Sequence, residues 1–375
     1  MTDTSVRYYD STMTGAPNTV KNAAGGLLSV LNACLDTGFN SVTLTSLAVS
    51  SDVATATKAN HGFAALTDGT IRVYPVIRIS GATPAELNGD WRLASIPDAD
   101  TFTFATTGIS DQTASGTITA KRAPLWSTAT TSCVAHTGTN KAAYQRVDPL
   151  ATAMVLRVDD TTTTYATVKG YEAMTDIDTG SGAWPSAARY LYKAADSTPV
   201  GWAVIGDARA VYVWTNTDNS WWAESLFFGD ALSYKPGDAY HALLIAATVS
   251  SAYGTNLRAL GTVTGADWCR NLAQAATVGA ARYSHGKSDL YLGYMGNAWP
   301  AAADSGFHAW PVEVWDDTTA ARGLMPGLWN PLHTGQPPHG TLIDAIPQLP
   351  GRVLQVRQEY GDFSRLALDL IGPWR

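Results

Sequence analysis

The sequence predicts a mainly β protein: a short N-terminal helix, then a small β-barrel or sandwich module, then a larger antiparallel, β-sandwich-like domain. Three observations carry this. Apolar residues recur at every second position through most of the chain, in short runs that end at Gly, Pro, Asn or Asp. One stretch near the start keeps three- and four-residue spacing instead. Charged residues make up only 15% of the 375 positions, well below the usual quarter or so, and Thr, Ala, Ser and Gly take their place. Such a composition suits extended strands and a surface that is neutral rather than ionic.

The helical stretch comes first. In TVKNAAGGLLSVLNACLDTGF the apolar residues Leu27, Leu28, Val30, Leu31, Cys34 and Leu35 share one face, and Gly38 stands where a C-terminal stop belongs. The pair Gly25-Gly26 weakens the first turn, so the helix is expected to start late and to pack on a sheet. From Val42 the period becomes two. Strands are expected in SVTLTSLAVSSDVATAT, TIRVYPVIRIS, DWRLASI, DTFTFAT (Phe102 and Phe104 facing one way) and GTITAK. Between two of them, GATPAELNGDW ends in Asn88-Gly89, a pair favoured where φ is positive. It reads as a corner that reverses the chain and returns Trp91 to the core.

Beyond Lys141 the style repeats on a larger scale. AMVLRVDD alternates, and VGWAVIGDARAVYVWTNT is a hairpin that turns at Gly206-Asp207-Ala208-Arg209. SLFFGDALSYKPGDAYHALLIAAT is expected to turn at Gly229-Asp230 and again at Pro236-Gly237-Asp238. Later strands are DLYLGYM, WPVEVW, GRVLQVRQ and SRLALDLIG. The proline-rich GLMPGLWNPLHTGQPPHGTLIDAIPQLPG between them should wrap the surface as a long ordered loop, since proline is excluded from central strands. The expected organisation is a segment 1–40 that carries the helix and packs on the last domain, a module over 41–122, and a β domain over 123–375 with that loop near 323–351.

Charge and motifs exclude several functions. A net charge of −7 without any basic cluster argues against nucleic-acid binding through phosphate neutralisation. No apolar run approaches the roughly 20 residues that span a bilayer, and MTDTSVRYYD lacks the features of a secretory leader. Cys34, Cys133 and Cys269 are too far apart for a disulfide framework or a zinc site and read as thiols made in a reducing cytoplasm. The histidines at 61, 136, 241, 285, 308, 333 and 339 form no HExxH and no helical pair, so no metal is expected. TDIDTGSGAW resembles a calcium loop only superficially, because Ser181 and Ala187 stand where that loop needs Gly and a carboxylate. Asp159-Asp160 and Asp316-Asp317 follow strands, where Asp starts turns. Cys133 with His136 three residues on is no signature of a nucleophile, and no GxSxG, SxxK or phosphate-cradling glycine motif occurs. No catalytic residue and no cofactor is expected.

Aromatic residues remain. With 13 Trp and 16 Tyr, most must be core. Trp221-Trp222 stands apart, because neighbours on a strand point to opposite faces and a single core cannot take both. One of the two is a candidate for a second sheet, a neighbouring chain or a sugar ring.

Residues RYYDSTMTGAPNTVKNAAGGLLSVLNACLDTGF, GYEAMTDIDTGSG, GDALSYKPGDAY and the closing LPGRVLQV and LALDLIGPWR resemble a family of structural proteins in virions of tailed bacteriophages and prophages. The module at 41–122 is similar to the small FCCH-like β domain of ubiquitin-activating enzymes, through His61-Gly62, Ile79-Ser80-Gly81, Leu87-Asn88-Gly89, Thr101-Phe102 and Ser115-Gly116-Thr117. It departs from that pattern at Pro75 and Pro97, where edge strands or bulges are expected. The resemblance implies a fold and a place in the virion and carries no catalytic residue with it. It implies a non-enzymatic part of the tail tip or baseplate, made in the bacterial host cytoplasm. Its partners would be other tail proteins and copies of itself in a symmetric oligomer, without nucleic acid or membrane insertion. Alternatives are a tail adhesin that binds host glycans through Trp221, Trp222 or Trp299, and a head decoration or closure protein.

Overall fold

In the computed structural model the helical periodicity becomes a helix over Gly26–Leu31 that widens into a π-helical turn over Asn32–Thr37 and stops at Gly38, φ 72°. The structure describes residues 5–17, 20, 22–193, 200–215, 224–248, 266–274, 281–284, 307–316, 320–332, 337–360 and 364–375. The glycine pair does not delay the helix. Gly25 takes φ 77° as its N-cap, and the Asp160 carboxylate, far away in sequence, accepts the N–H groups of Leu27 (2.9 Å) and Leu28 (3.2 Å). A remote side chain thus does the work of a local cap.

The chain is mainly β, with this one short α-helix among the described residues and several antiparallel sheets. A central sheet runs in the order Arg7–Asp10, Trp202–Gly206, Ala210–Thr215, Glu224–Asp230, Ala242–Ile245, Ala266–Trp268. Successive side chains point to opposite faces, and here both faces are covered. Trp202, Val204, Val211, Val213 and Phe228 enter one core, shared with the helix and with a five-stranded sheet formed by Val134–Gly138, Lys141–Gln145, Val155–Asp159, Tyr165–Tyr171 and Trp184–Tyr192. Ile205, Tyr212, Trp214, Phe227 and Ile245 enter a second core against a sheet that includes His308–Asp316, Ala320–Leu332, Leu354–Tyr360 and Ser364–Asp369. The sandwich therefore has three layers, and the middle strands other than Arg7–Asp10 are buried at every residue.

The chain between Phe39 and Arg122 forms an eight-stranded sheet whose core, with Leu47, Phe102 and Phe104 fully enclosed, takes its buried residues from 44–120 with Val42 packed against them. The GATPAELNGDW corner does reverse the chain, pairing Ile77 with Trp91. Its chemistry differs from the expected turn. Asn88 keeps an extended φ of −79°, and only Gly89 is positive, at 141°. The Asn88 amide closes the loop from the side: it accepts from Ala82 N–H (2.8 Å) and donates to Ala82 O (2.8 Å). Trp91 ends half-buried against Phe104, its Nε1 donating to Leu87 O. Pro75 sits just ahead of the strand Val76–Ser80, and Pro97 follows a register shift at Leu93/Ser95.

Two further expectations are corrected. Gly229-Asp230 is no turn: both residues complete the strand Glu224–Asp230, and Gly229 pairs with Ala210 on one side and Leu243 on the other. The proline-rich stretch is not a loop over its first part, because Ala320–Leu332 is a 13-residue strand. Pro331 stands opposite Ala309 in regular register, while Pro326 is admitted by irregular pairing. Leu324 faces Glu313 and Trp329 faces Pro311, so the segment with Pro326 bulges out of the ladder, with Gly327 at φ 66°. Residues 333–336 lie outside the described residues. The later part does run as a covering loop, with Ile346 and Leu349 against the outer face of the last sheet.

Candidate functional site

Of the residues singled out in the sequence, Trp221, Trp222 and Trp299 lie outside the described residues, as do His285 and His333. The concave feature best defined by the fold is a cleft of about 370 Å³ where the eight-stranded module meets the three-layer body. Strand register builds one wall. Arg78 and Asp90 are cross-strand partners, which brings a guanidinium and a carboxylate side by side. Arg78 Nε and Nη2 donate to the two Asp90 oxygens at 2.6 and 2.9 Å, and Arg7, from the central sheet, adds a third bond at 2.8 Å. Arg78 also donates to Ser127 O (2.6 Å). The other wall is more apolar, with Leu125, Trp126, Val147 and Pro149. There Asp148 accepts from Arg209 (3.2 Å) and from Leu150 N–H, and the Leu150 side chain beside the cleft is 62% exposed.

Burial acts to raise the Asp90 carboxyl, but the hydrogen bonds and charges of Arg78 and Arg7 outweigh it and hold the group below its ordinary value. A carboxyl whose folded value is depressed adds stability above its unfolded value, near 4, and that stability is lost as pH falls through the folded value. Asp90→Asn should therefore cost about 1–3 kcal/mol at neutral pH and flatten the acid limb of the stability profile below about pH 4. Urea unfolding followed by Trp fluorescence between pH 3 and 7 measures both; a variant with the wild-type acid limb would remove Asp90 from this role.

The groups that could do chemistry elsewhere are tied into the fold. Burial pushes the Cys133 and Cys269 thiols up to about 12, and Cys34 is raised as well; thiols so placed are poor nucleophiles. Cys133 turns its sulfur to Leu35 O, while the His136 ring meets Met174 O, so the two do not form a couple. The Ser127 hydroxyl donates to Asp36 and accepts from Cys133 N–H. In the TDIDTGSG stretch, a small hairpin pairs Ala173–Met174 with Gly180–Ser181. Asp178 at its tip clasps Lys141 (2.9 Å) and Arg157 (2.7 Å) on the sheet beneath. Asp159 starts a turn through Thr161, as its position after a strand implied. Asp160 instead is buried against Lys193.

Sequence reasoning missed the cleft, because its walls come from residues 7, 78–90, 125–129 and 147–149, and no local pattern links them. Among the described residues, no group of three or more His, Cys, Asp or Glu is placed to hold a metal ion, and no helix is long and apolar enough to cross a membrane. No protein-family model matches this chain, and no curated protein matches it either.

Proposed function

We propose that this protein is a non-enzymatic structural component of a tailed-phage virion, placed in the tail tip or baseplate and acting through protein–protein interfaces. The observation that carries the reading is how its reactive side chains are used: the three thiols are enclosed, and the acidic groups at the cleft, Asp90 and Asp148, are bonded to arginines that hold the layers together. The resemblance of the N-terminal, central and closing segments to virion proteins points the same way. The module, braced against the body across the cleft by Arg7 and Arg78, is suited to transmit position between neighbours. Cryo-microscopy and mass spectrometry of purified particles test this: the chain should be present at fixed stoichiometry within the tail. Particles that lack it, or hold it at variable trace levels, would remove the proposal.

A second reading, a tail adhesin that binds host glycans, is favoured by Trp310, which is 59% exposed on the strand His308–Asp316. An exposed indole stacks on sugar rings as readily as on protein. Binding to a glycan array that disappears in Trp310→Ala would favour this reading over the first.

A further inference from the structure

Arginine in this protein has a habitual mode of pairing. Arg78 on Asp90, Arg189 on Asp267, Arg270 on Glu172, Arg322 on Asp238 and Arg375 on Asp207 each present the Nε–Nη2 edge to one carboxylate. That edge offers two parallel N–H donors at the spacing of two carboxylate oxygens. Arg146 and Arg352 pair through Nη1 instead, and Arg122 meets a carbonyl, but Arg357 alone among these leaves both atoms of that edge unsatisfied. It is 3% exposed, and its Nε and Nη2 are both buried without a hydrogen-bond partner. Its guanidinium is sandwiched between the central and last sheets, 5.5 Å from the Tyr8 ring centre and 5.4 Å from that of Trp214. Ring faces offset part of the cost of burying a cation but bring no counter-charge. Tyr8 brings a neutral hydroxyl: burial pushes its phenol up to about 12 although Arg357 beside it acts to lower it, and that hydroxyl donates to the carboxylate of Asp10 on this side.

The surroundings are polar in the same sense. Arg357 pairs across the sheet with Leu366, and Trp310 with Asn330, so these residues lie along one inner face of the last sheet. Asn330 is 3% exposed, and its Nδ2 also lacks a partner, as does Gln355 Oε1 two residues before Arg357. Three unsatisfied side chains on one buried face are costly unless something meets them. Trp310, the cross-strand partner of Asn330, is 59% exposed at the start of the strand, whereas Val312 and Val314 further along it are buried in the second core.

We propose that the Nε–Nη2 edge of Arg357 is a socket for a carboxylate-bearing ligand, with Asn330 and Gln355 as neutral donor and acceptor beside it. The inference stands apart from the virion reading, because it follows from the unfilled Nε–Nη2 edge of Arg357 and its unsatisfied neighbours Asn330 and Gln355. The carboxylate is carried either by a small organic acid, a sugar acid included, or by an acidic side chain of a neighbouring polypeptide.

Thermal unfolding of the full chain tests it, at constant ionic strength, with chloride as baseline and acetate, glucuronate, N-acetylglutamate amide, glucose and phosphate as probes. A socket gives a saturable rise of the midpoint, about 4 °C at a hundred-fold excess over Kd, with the carboxylates and not with glucose. A stronger response to glucuronate identifies a sugar acid, and one to the glutamate derivative identifies a protein side chain. Arg357→Met should abolish the response while leaving the unliganded midpoint equal or higher, since it removes an uncompensated buried cation of similar bulk. Should that variant not fold, Arg357→Lys keeps the charge without the fork and should weaken binding at least ten-fold. No saturable response to any carboxylate, a response to phosphate alone, or one unchanged in both variants would overturn the proposal.

Discussion

Replacing Asp230 by alanine should cost about 3–5 kcal/mol of unfolding free energy at neutral pH, the usual penalty for stripping one partner from a buried ion pair. The side chains of Asp230 and Arg146 are both fully enclosed, 2.8 Å apart. The carboxylate also accepts Thr152 N–H (2.8 Å) and Thr152 Oγ1 (2.6 Å). Arg146 donates besides to Arg209 O and Thr152 O and lies over the Phe228 ring. Alanine would leave that guanidinium in the core with carbonyls for company and no counter-charge. Burial alone would raise the Asp230 carboxyl, but Arg146 above all, then His241 and Thr152, hold it below its ordinary value. The stabilisation is thus present above the unfolded carboxyl range and lost as pH falls through the folded value. The difference between wild type and Asp230→Ala should be large at pH 7 and shrink in acid. Urea denaturation at pH 7 and at about pH 3.5, just under the ordinary carboxyl value, reads both; equal midpoints at pH 7 would contradict the assignment.

Asp160→Ala should be comparably severe, about 3–5 kcal/mol, for a different structural reason. Asp160 bonds Lys193 Nζ at 2.5 Å, with both side chains fully enclosed, and it also receives the first N–H groups of the helix. Lys193 in turn donates to Ala23 O and Thr162 O, both at 2.7 Å. One substitution therefore strands a buried ammonium and uncaps Gly26–Leu31. Hydrogen exchange at Leu27–Leu31 should rise before global unfolding in the variant. Asp160→Asn keeps acceptor oxygen for the helix and should recover part of the loss. Exchange that stays at wild-type rates in Asp160→Ala would show that the helix is held by packing alone.

The two sites also mark how far the sequence could be read. Strand runs, the helix over Leu27–Leu35 and its stop at Gly38, and the hairpin at Gly206–Arg209 are local. Each depends on hydrophobic period or turn chemistry within a few residues, and each that falls on described residues stands in the structure, whereas the run DLYLGYM lies outside them. Asp160 and Asp230 sit in the same turn-like contexts as solvated aspartates, and their partners lie 33 and 84 residues away. Nothing in the neighbouring sequence separates a buried aspartate from an exposed one. The strand Ala320–Leu332 was unreadable for a related reason: whether a bulge can house Pro326 depends on the strand it pairs with.

Adjacent aromatic residues mark the boundary best. Neighbours on one strand cannot share a core, as reasoned for Trp221-Trp222. Yet Phe227 and Phe228 are both fully enclosed, because the strand Glu224–Asp230 has a separate core on each face. Sequence alone determined the mainly β character, the helix, the sparsely charged composition and a few chain reversals such as that at Gly206–Arg209, since these follow from backbone preference and side-chain period at short range. Only the tertiary structure decided that the sandwich has a middle layer, which carboxylate meets which arginine, and that Arg357 meets none among the described residues. Those outcomes depend on which faces stack. Stacking is set by contacts between distant segments, for which a linear pattern carries no label.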